Sequence, residues 1–174
     1  MTLQSLSKLL PSVTTYRRID PEDVEHPSAR LGLEVWRLRR GERRFPARED
    51  IKPRDVAQAM QHLSLLKVVD GDFLYRIVGD AVVRAYDTPL QNRKVGEISE
   101  DSPSFGAIVM PLFKSVVEDK TPIAIRGTTG HDALMANFTD YEALFLPLGP
   151  DDETVGHILV FSEHISRGFG PHRS

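Results

Sequence analysis

The feature that most constrains this chain is a change in its hydrophobic period near residue 63. Before that point the clearest pattern is helical, over residues 28–40. From residue 63 to residue 78 the apolar and β-branched residues follow the pattern of strands, and Asp70-Gly71 in the middle is a turn signal. The sequence therefore predicts a β-hairpin here, and the rest of the chain must complete its sheet.

The later part of the chain supplies a helix and three more strands. Ser102-Pro103 places a capping residue and a first-turn proline at the start of a helix that runs to Asp119. Short helices are predicted over 54–61 and 80–86. Two strands, a helical crossover and three strands form a five-stranded antiparallel sheet with helices on one face, an α+β domain. The predicted strands are 63–69, 73–79, 121–128, 139–148 and 154–163.

The length and composition are those of one domain. The chain has 174 residues, of which 40% are hydrophobic, enough for a core. Prolines interrupt residues 1–27, which we interpret as an N-terminal arm and irregular linker. The predicted domain covers residues 28–165, and residues 166–174 are expected to be a flexible tail.

The arm and the first helix predict a contact surface. Four leucines of the arm lie at helical spacing. Lys8 lies inside this apolar stretch, whereas a secretory signal peptide has its positive charge before the apolar residues. They are Leu3, Leu6, Leu9 and Leu10. The predicted helix 28–40 has Leu31, Val35 and Leu38 on one stripe. Because exposed apolar patches mark contact sites, we expect a homodimer through this helix and the segment before it.

Composition excludes several classes of protein. A formal charge of −3 gives no basis for nucleic-acid binding, and the absence of cysteine excludes disulfides and cysteine-bound metal clusters. No run of 18 apolar residues could span a membrane, so we expect a cytoplasmic protein. His131-Asp132 and the pair His157 and His164 have no accompanying metal-binding pattern, so no metal site is predicted. No nucleotide-binding or hydrolase motif is present, so we expect no enzyme.

Three motifs carry a family resemblance. The stretches Trp36 to Pro53, Phe73 to Gly79 and Tyr141 to Leu148 resemble a bacterial family of short, single-domain PAS proteins, over roughly residues 28–163. The sequence departs from that family's pattern at Asp80, where threonine is usual, and at Asn92, where glycine is expected. The resemblance implies a sensory module for signal transduction that binds a small molecule or contacts other proteins, with no cofactor specified.

A ligand would lie between the inner face of the sheet and the long helix. Because Tyr75 and Arg76 have opposite phase in one strand, only one of them can face that space. Arg76 has the alternative of pointing outward, and Arg126 has the alternative of a structural ion pair with Glu142, which would otherwise be a costly carboxylate in an apolar strand. The candidate ligand-binding residues are Tyr75, Arg76, Phe105, Ile108, Val109, Leu112 and Arg126.

Two other interpretations of the function stay open. The domain could be a scaffold whose core is filled by side chains and binds no ligand. It would then act only through contact with a signalling partner, whose identity is unknown. It could also be an enzyme of unrecognised type. An enclosed cavity with convergent polar groups distinguishes the ligand sensor from the scaffold, and a cluster of strongly shifted titratable groups in a cleft would favour the enzyme.

Overall fold

The computed structural model describes residues 14–130 and 137–166, which build a six-stranded antiparallel sheet. Its strand order is β1-β4-β5-β6-β2-β3, so the first hairpin and the last three strands share one sheet. The α+β fold expected from the sequence is confirmed. The strands are β1 Thr15–Ile19, β2 Leu63–Val69, β3 Asp72–Val78, β4 Ile123–Thr128, β5 Phe138–Leu148 and β6 His157–Ser166.

Within residues 14–130 and 137–166, four α-helices and three 3-10 segments accompany the sheet. The α-helices are α1 Pro27–Arg40, α2 Asp80–Ala85, α3 Val95–Asp101 and α4 Pro103–Asp119. The 3-10 segments are Pro21–Asp23, Arg48–Asp50 and Pro53–His62, the last replacing the short helix predicted over 54–61. Ser102 precedes α4 as predicted, but its side chain makes no capping hydrogen bond. Within the described ranges, no helix is long and apolar enough to cross a membrane.

The predicted hairpin is confirmed, with one irregularity. Asp70 and Gly71 both have positive φ, as the tight turn between β2 and β3 requires. The pairing then shifts, because Leu65 pairs with Ile77 and Leu66 pairs with Tyr75. This leaves Arg76 without a partner across the strand, in a β-bulge that turns its side chain to solvent.

Strand β1 lies in the segment that we expected to be irregular linker. It pairs antiparallel with β4, from Thr15 opposite Thr128 to Ile19 opposite Ala124. Thr15, Tyr16 and Ile19 have high β propensity, and the two arginines between them are exposed, which suits the edge of a sheet. The sheet therefore has six strands rather than five.

The two faces of the sheet pack against different helices. On the inner face, α4 buries Phe105, Leu112 and Phe113. On the outer face, a Cβ at Gly32 of α1 would lie 2.3 Å from the ring of Phe161, so the helix backbone lies directly on β6. The sheet is thus enclosed between the crossover helices and α1.

The packed face of α1 differs from the predicted stripe. Its buried residues include Gly32, Leu33 and Trp36, whereas Leu38 is 75% exposed. The Trp36 Nε1–H donates a hydrogen bond to the Pro147 carbonyl at 2.8 Å, which fixes this face against β5. Of the stripe that the spacing indicated, Leu31 and Val35 are partly buried against the core, and Leu38 is exposed.

Candidate functional site

A cavity of about 90 Å³, partly open to solvent, lies between α4 and the inner face of the sheet. On the helix side it is lined by Phe105, Ile108, Val109 and Leu112, whose spacing places them on one face of α4. On the sheet side it is lined by alternate residues of the strands, because side chains two apart share a face. The cavity is therefore at the centre of the domain.

The polar groups around this cavity are all uncharged at neutral pH. Among the described residues, no aspartate, glutamate, lysine or arginine lines it. Burial raises the pKa of Tyr75 and of Tyr86, so that both hydroxyls stay protonated. The site can therefore exchange hydrogen bonds with a ligand but offers no counter-charge. The polar side chains that line the cavity include Ser64, Tyr75, Tyr86, Thr129, Tyr141, Ser162 and His164.

His164 is the most unusual of these groups. Its Nε2 lies 3.3 Å from the Tyr86 hydroxyl oxygen, and its ring packs 4.6 Å from the ring of Phe138. Burial lowers the pKa of His164 to about 4, so the imidazole is neutral at pH 7. Its Nδ1 is buried and has no hydrogen-bond partner within residues 14–130 and 137–166. An unpaired buried nitrogen is costly in free energy.

The comparison with protein families decides what kind of domain this is. A family model described as PAS domain matches residues 24–161, which include α1, strands β2 to β5, the first half of β6 and most of the residues that line the cavity. The chain belongs to the PAS domain family. No curated protein and no solved structure matches it. PAS domains are in general sensory and regulatory modules, and the chemistry of this one has to be argued from its own residues.

The PAS domain places the predicted ligand-binding residues in two groups. Tyr75, Phe105, Ile108, Val109 and Leu112 all line the cavity. The other two candidates lie elsewhere. Arg76 is exposed at the bulge of β3, and Arg126 lies on the outer face of β4. Neither arginine reaches the cavity, because strand alternation and the bulge turn both side chains away from the inner face.

The predicted ion pair between Arg126 and Glu142 is confirmed. Arg126 Nη2 lies 2.7 Å from Glu142 Oε2, and the same carboxylate accepts hydrogen bonds from the backbone N–H groups of Glu25 and His26. Burial acts to raise the pKa of Glu142, but the hydrogen bonds from His26, Arg126 and Glu25 outweigh it and lower the pKa. This buried carboxylate attaches the chain before α1 to the outer face of the PAS domain.

Sequence reasoning missed the polar wall that β6 contributes. Val160, Ser162 and His164 alternate along β6 and all line the cavity. The signal was present, because residues two apart in a predicted strand share a face. His157, considered with His164 for metal binding on sequence grounds, pairs with Lys67 near the opposite end of β6. His131-Asp132 lies outside the described residues.

Proposed function

We propose that this PAS domain is a non-catalytic sensor that binds a small uncharged molecule in its central cavity. The observation that carries the proposal is the space between α4 and the sheet, lined by neutral hydrogen-bonding residues that include His164. A scaffold with a filled core would have no such space, so this observation favours the sensor over the scaffold interpretation.

The size and lining of the cavity limit the ligand. At about 90 Å³ the space is smaller than an engineered cavity of about 150 Å³ that holds benzene, yet it exceeds what one water molecule needs. A charged molecule would lose its hydration without meeting a counter-charge, at a large cost in free energy. The expected ligand is therefore neutral and has only a few non-hydrogen atoms. It packs against aromatic rings and forms a hydrogen bond with an imidazole or a hydroxyl group.

Signalling would follow from a shift between conformations. A ligand that binds one packing of α4 against the sheet more tightly than another shifts the population toward it. The output is a contact with another protein, and we keep the homodimer and a cytoplasmic location as predictions. Leu38 supports the homodimer, because this large apolar side chain of α1 is 75% exposed. The leucine stripe of the arm lies outside the described residues.

The first experiment looks for the ligand itself. The full chain is purified from its own host without a tag and examined by native mass spectrometry. We expect a retained molecule of low mass that is released on denaturation. Protein that carries no added mass, from several growth conditions, would support the ligand-free scaffold.

A matched pair of variants on α4 tests the location. Val109 lines the cavity, whereas Val117 lies on the same helix, partly buried, and does not line it. Val109→Phe should fill the space and abolish retention of the molecule, and Val117→Phe should leave retention intact. Equal retention by the two folded variants would place the ligand elsewhere.

The homodimer is tested separately by sedimentation of the full chain. Leu38→Glu on α1 should convert a dimer at tens of micromolar into a monomer. Val83→Glu is the control, because Val83 is also an exposed apolar residue, 53% exposed, but lies on α2. A parent chain that sediments as a monomer would refute the proposed dimer and leave the ligand proposal standing.

A further inference from the structure

Away from the cavity, the outer face of the sheet brings together three side chains that can bind a metal ion. His26 is the N-cap residue of α1, His62 ends the 3-10 segment Pro53–His62, and Glu163 lies on β6. One ligand atom from each of the three lies within 4.8 Å of the others, and each residue is half-buried. Sequence patterns could not show this cluster, because its members are far apart in the chain.

The Glu163 carboxylate oxygen Oε2 lies at the centre of this cluster, against His26 Nε2 and 3.5 Å from His62 Nδ1. His62 Nδ1 also lies 3.2 Å from the Ser162 carbonyl oxygen, a contact that metal binding through this nitrogen would replace. The two imidazole rings are 4.8 Å apart at an angle of 64°. In the described part of the chain, this buried oxygen has no hydrogen-bond partner of regular geometry. A buried carboxylate oxygen facing two imidazoles is a set of donor atoms that a cation would satisfy.

The chemistry of these donors suits a divalent transition metal. Imidazole nitrogen and carboxylate oxygen are donor atoms that zinc binds in proteins, and this cluster offers two of the first and one of the second. Zinc bonds to histidine nitrogen and carboxylate oxygen are about 2.0–2.2 Å long, so ligand atoms around one ion lie at most about 4.4 Å apart. Around a tetrahedral ion the ligand atoms lie about 3.4 Å apart, so the most distant of these atoms, which are 4.8 Å apart, must move closer by about 1.4 Å when the ion binds.

Solvent can reach the cluster. An open groove of about 760 Å³ on the outer face is lined by both His26 and Glu163. A metal held by three protein ligands keeps a coordination position for water or an anion, which such a groove could supply. We propose that His26, His62 and Glu163 bind one divalent transition-metal ion, with zinc as the ion that best fits two histidines, one carboxylate and one solvent ligand.

Metal binding would act on the start of α1. The His26 Nδ1 accepts a hydrogen bond from the Ser28 N–H at 3.3 Å, which caps the helix. When a metal occupies Nε2, the remaining ring proton moves to Nδ1, and this nitrogen can no longer accept the cap's hydrogen bond. Coordination therefore replaces a long hydrogen bond at the first turn of the helix that packs on the outer face.

The test is metal titration of the tag-free full chain. We expect one Zn²⁺ ion to bind per chain, measured by calorimetry. We expect the same stoichiometry for Co²⁺, measured by its visible absorption. His26→Asn and Glu163→Gln should each weaken binding by at least about tenfold, in line with the effect of disturbing a metal's surroundings. His26→Asn is informative because asparagine is a good N-cap and keeps the start of α1 intact.

The matched control is His157→Asn, which removes a histidine at the far end of β6 and should bind Zn²⁺ as the parent does. Far-ultraviolet circular dichroism establishes that each variant is folded, and His62→Gln replaces any variant that is not. Zn²⁺ should also raise the melting temperature of the parent but not of Glu163→Gln. No stoichiometric binding by the parent, or equal binding by Glu163→Gln and His157→Asn, would overturn the proposal and leave a hydrogen-bonded structural contact.

Discussion

The inner and outer faces of this sheet are built from the same strands but hold different chemistry. On β6, Ser162 and His164 face the cavity, where the lining carries no charged side chain among the described residues. Glu163 between them faces the opposite side, together with the Arg126–Glu142 pair on the neighbouring strands. The period of two thus separates neutral hydrogen-bonding groups from charged ones within a single strand.

The difference shows where charge can be tolerated in a small domain. The enclosed inner face keeps its polar groups neutral, since an unpaired charge there would be costly. The outer face can keep carboxylates because backbone N–H groups before α1, an arginine and two histidines surround them. The inner face is accordingly suited to a neutral guest, and the outer face to an ion or to contacts that involve α1.

The strongest test of the packed inner face is Phe113→Ala. The Phe113 ring is almost completely buried, and it lies 5.2 Å from the ring of Phe73 and 5.7 Å from that of Phe145. We expect a loss of about 3–5 kcal/mol in the free energy of unfolding, measured in urea, because the truncation leaves a void. Exposed Val83→Ala is the control. A loss below about 1 kcal/mol would show that the inner face repacks freely.

The next largest effect is expected on the outer face, for Glu142→Leu. The change leaves Arg126 without its carboxylate and leaves two backbone N–H groups unpaired. Breaking a buried pair costs about 3–5 kcal/mol, but the Arg126 side chain is 31% exposed, so we expect about 2–4 kcal/mol by urea unfolding. Glu153→Gln, in an exposed pair with Lys120, should cost less than about 1 kcal/mol. Similar losses of stability in Glu142→Leu and Glu153→Gln would contradict the distinction between the buried and the exposed ion pair.

A smaller loss is expected where α1 meets β5. Trp36→Phe removes the indole N–H that donates a hydrogen bond to the buried Pro147 carbonyl. We expect about 1–3 kcal/mol from thermal or urea unfolding. Leu38→Ala on the same helix should change the stability by no more than about 0.5 kcal/mol, because Leu38 is 75% exposed. The opposite ranking would mean that α1 packs by the stripe predicted from the sequence.

The smallest effect is predicted for Arg76→Ala. Arg76 is exposed at the bulge of β3 and does not line the cavity. Its replacement should change the free energy of unfolding by no more than about 0.5 kcal/mol and should leave retention of the cavity ligand unchanged. Loss of the ligand in native mass spectrometry of this variant would show that the outer face takes part in binding.

The hairpin and the long helix could be predicted because their signals are local. A turn pair between two β-rich runs and a capped apolar stripe are both contained within a dozen or so residues. From them followed the α+β fold and the helix wall of the cavity, Phe105, Ile108, Val109 and Leu112. The sequence left open whether Arg76 and Arg126 face the cavity, because a bulge depends on pairing between two strands and the ion pair with Glu142 depends on the neighbouring strand; the structure turns both away from it.

What the sequence by itself determined is the order of strands and helices and the face that α4 turns to the sheet, since hydrophobic period and turn chemistry act along the chain. Tertiary structure decided the rest. β1 exists as a strand because β4 offers it an edge, and α1 packs through Gly32 because Phe161 lies beneath it. His26, His62 and Glu163 meet only because α1, a 3-10 segment and β6 come together on the outer face. Contacts between residues so distant in sequence leave no periodic trace, because they depend on how whole elements pack.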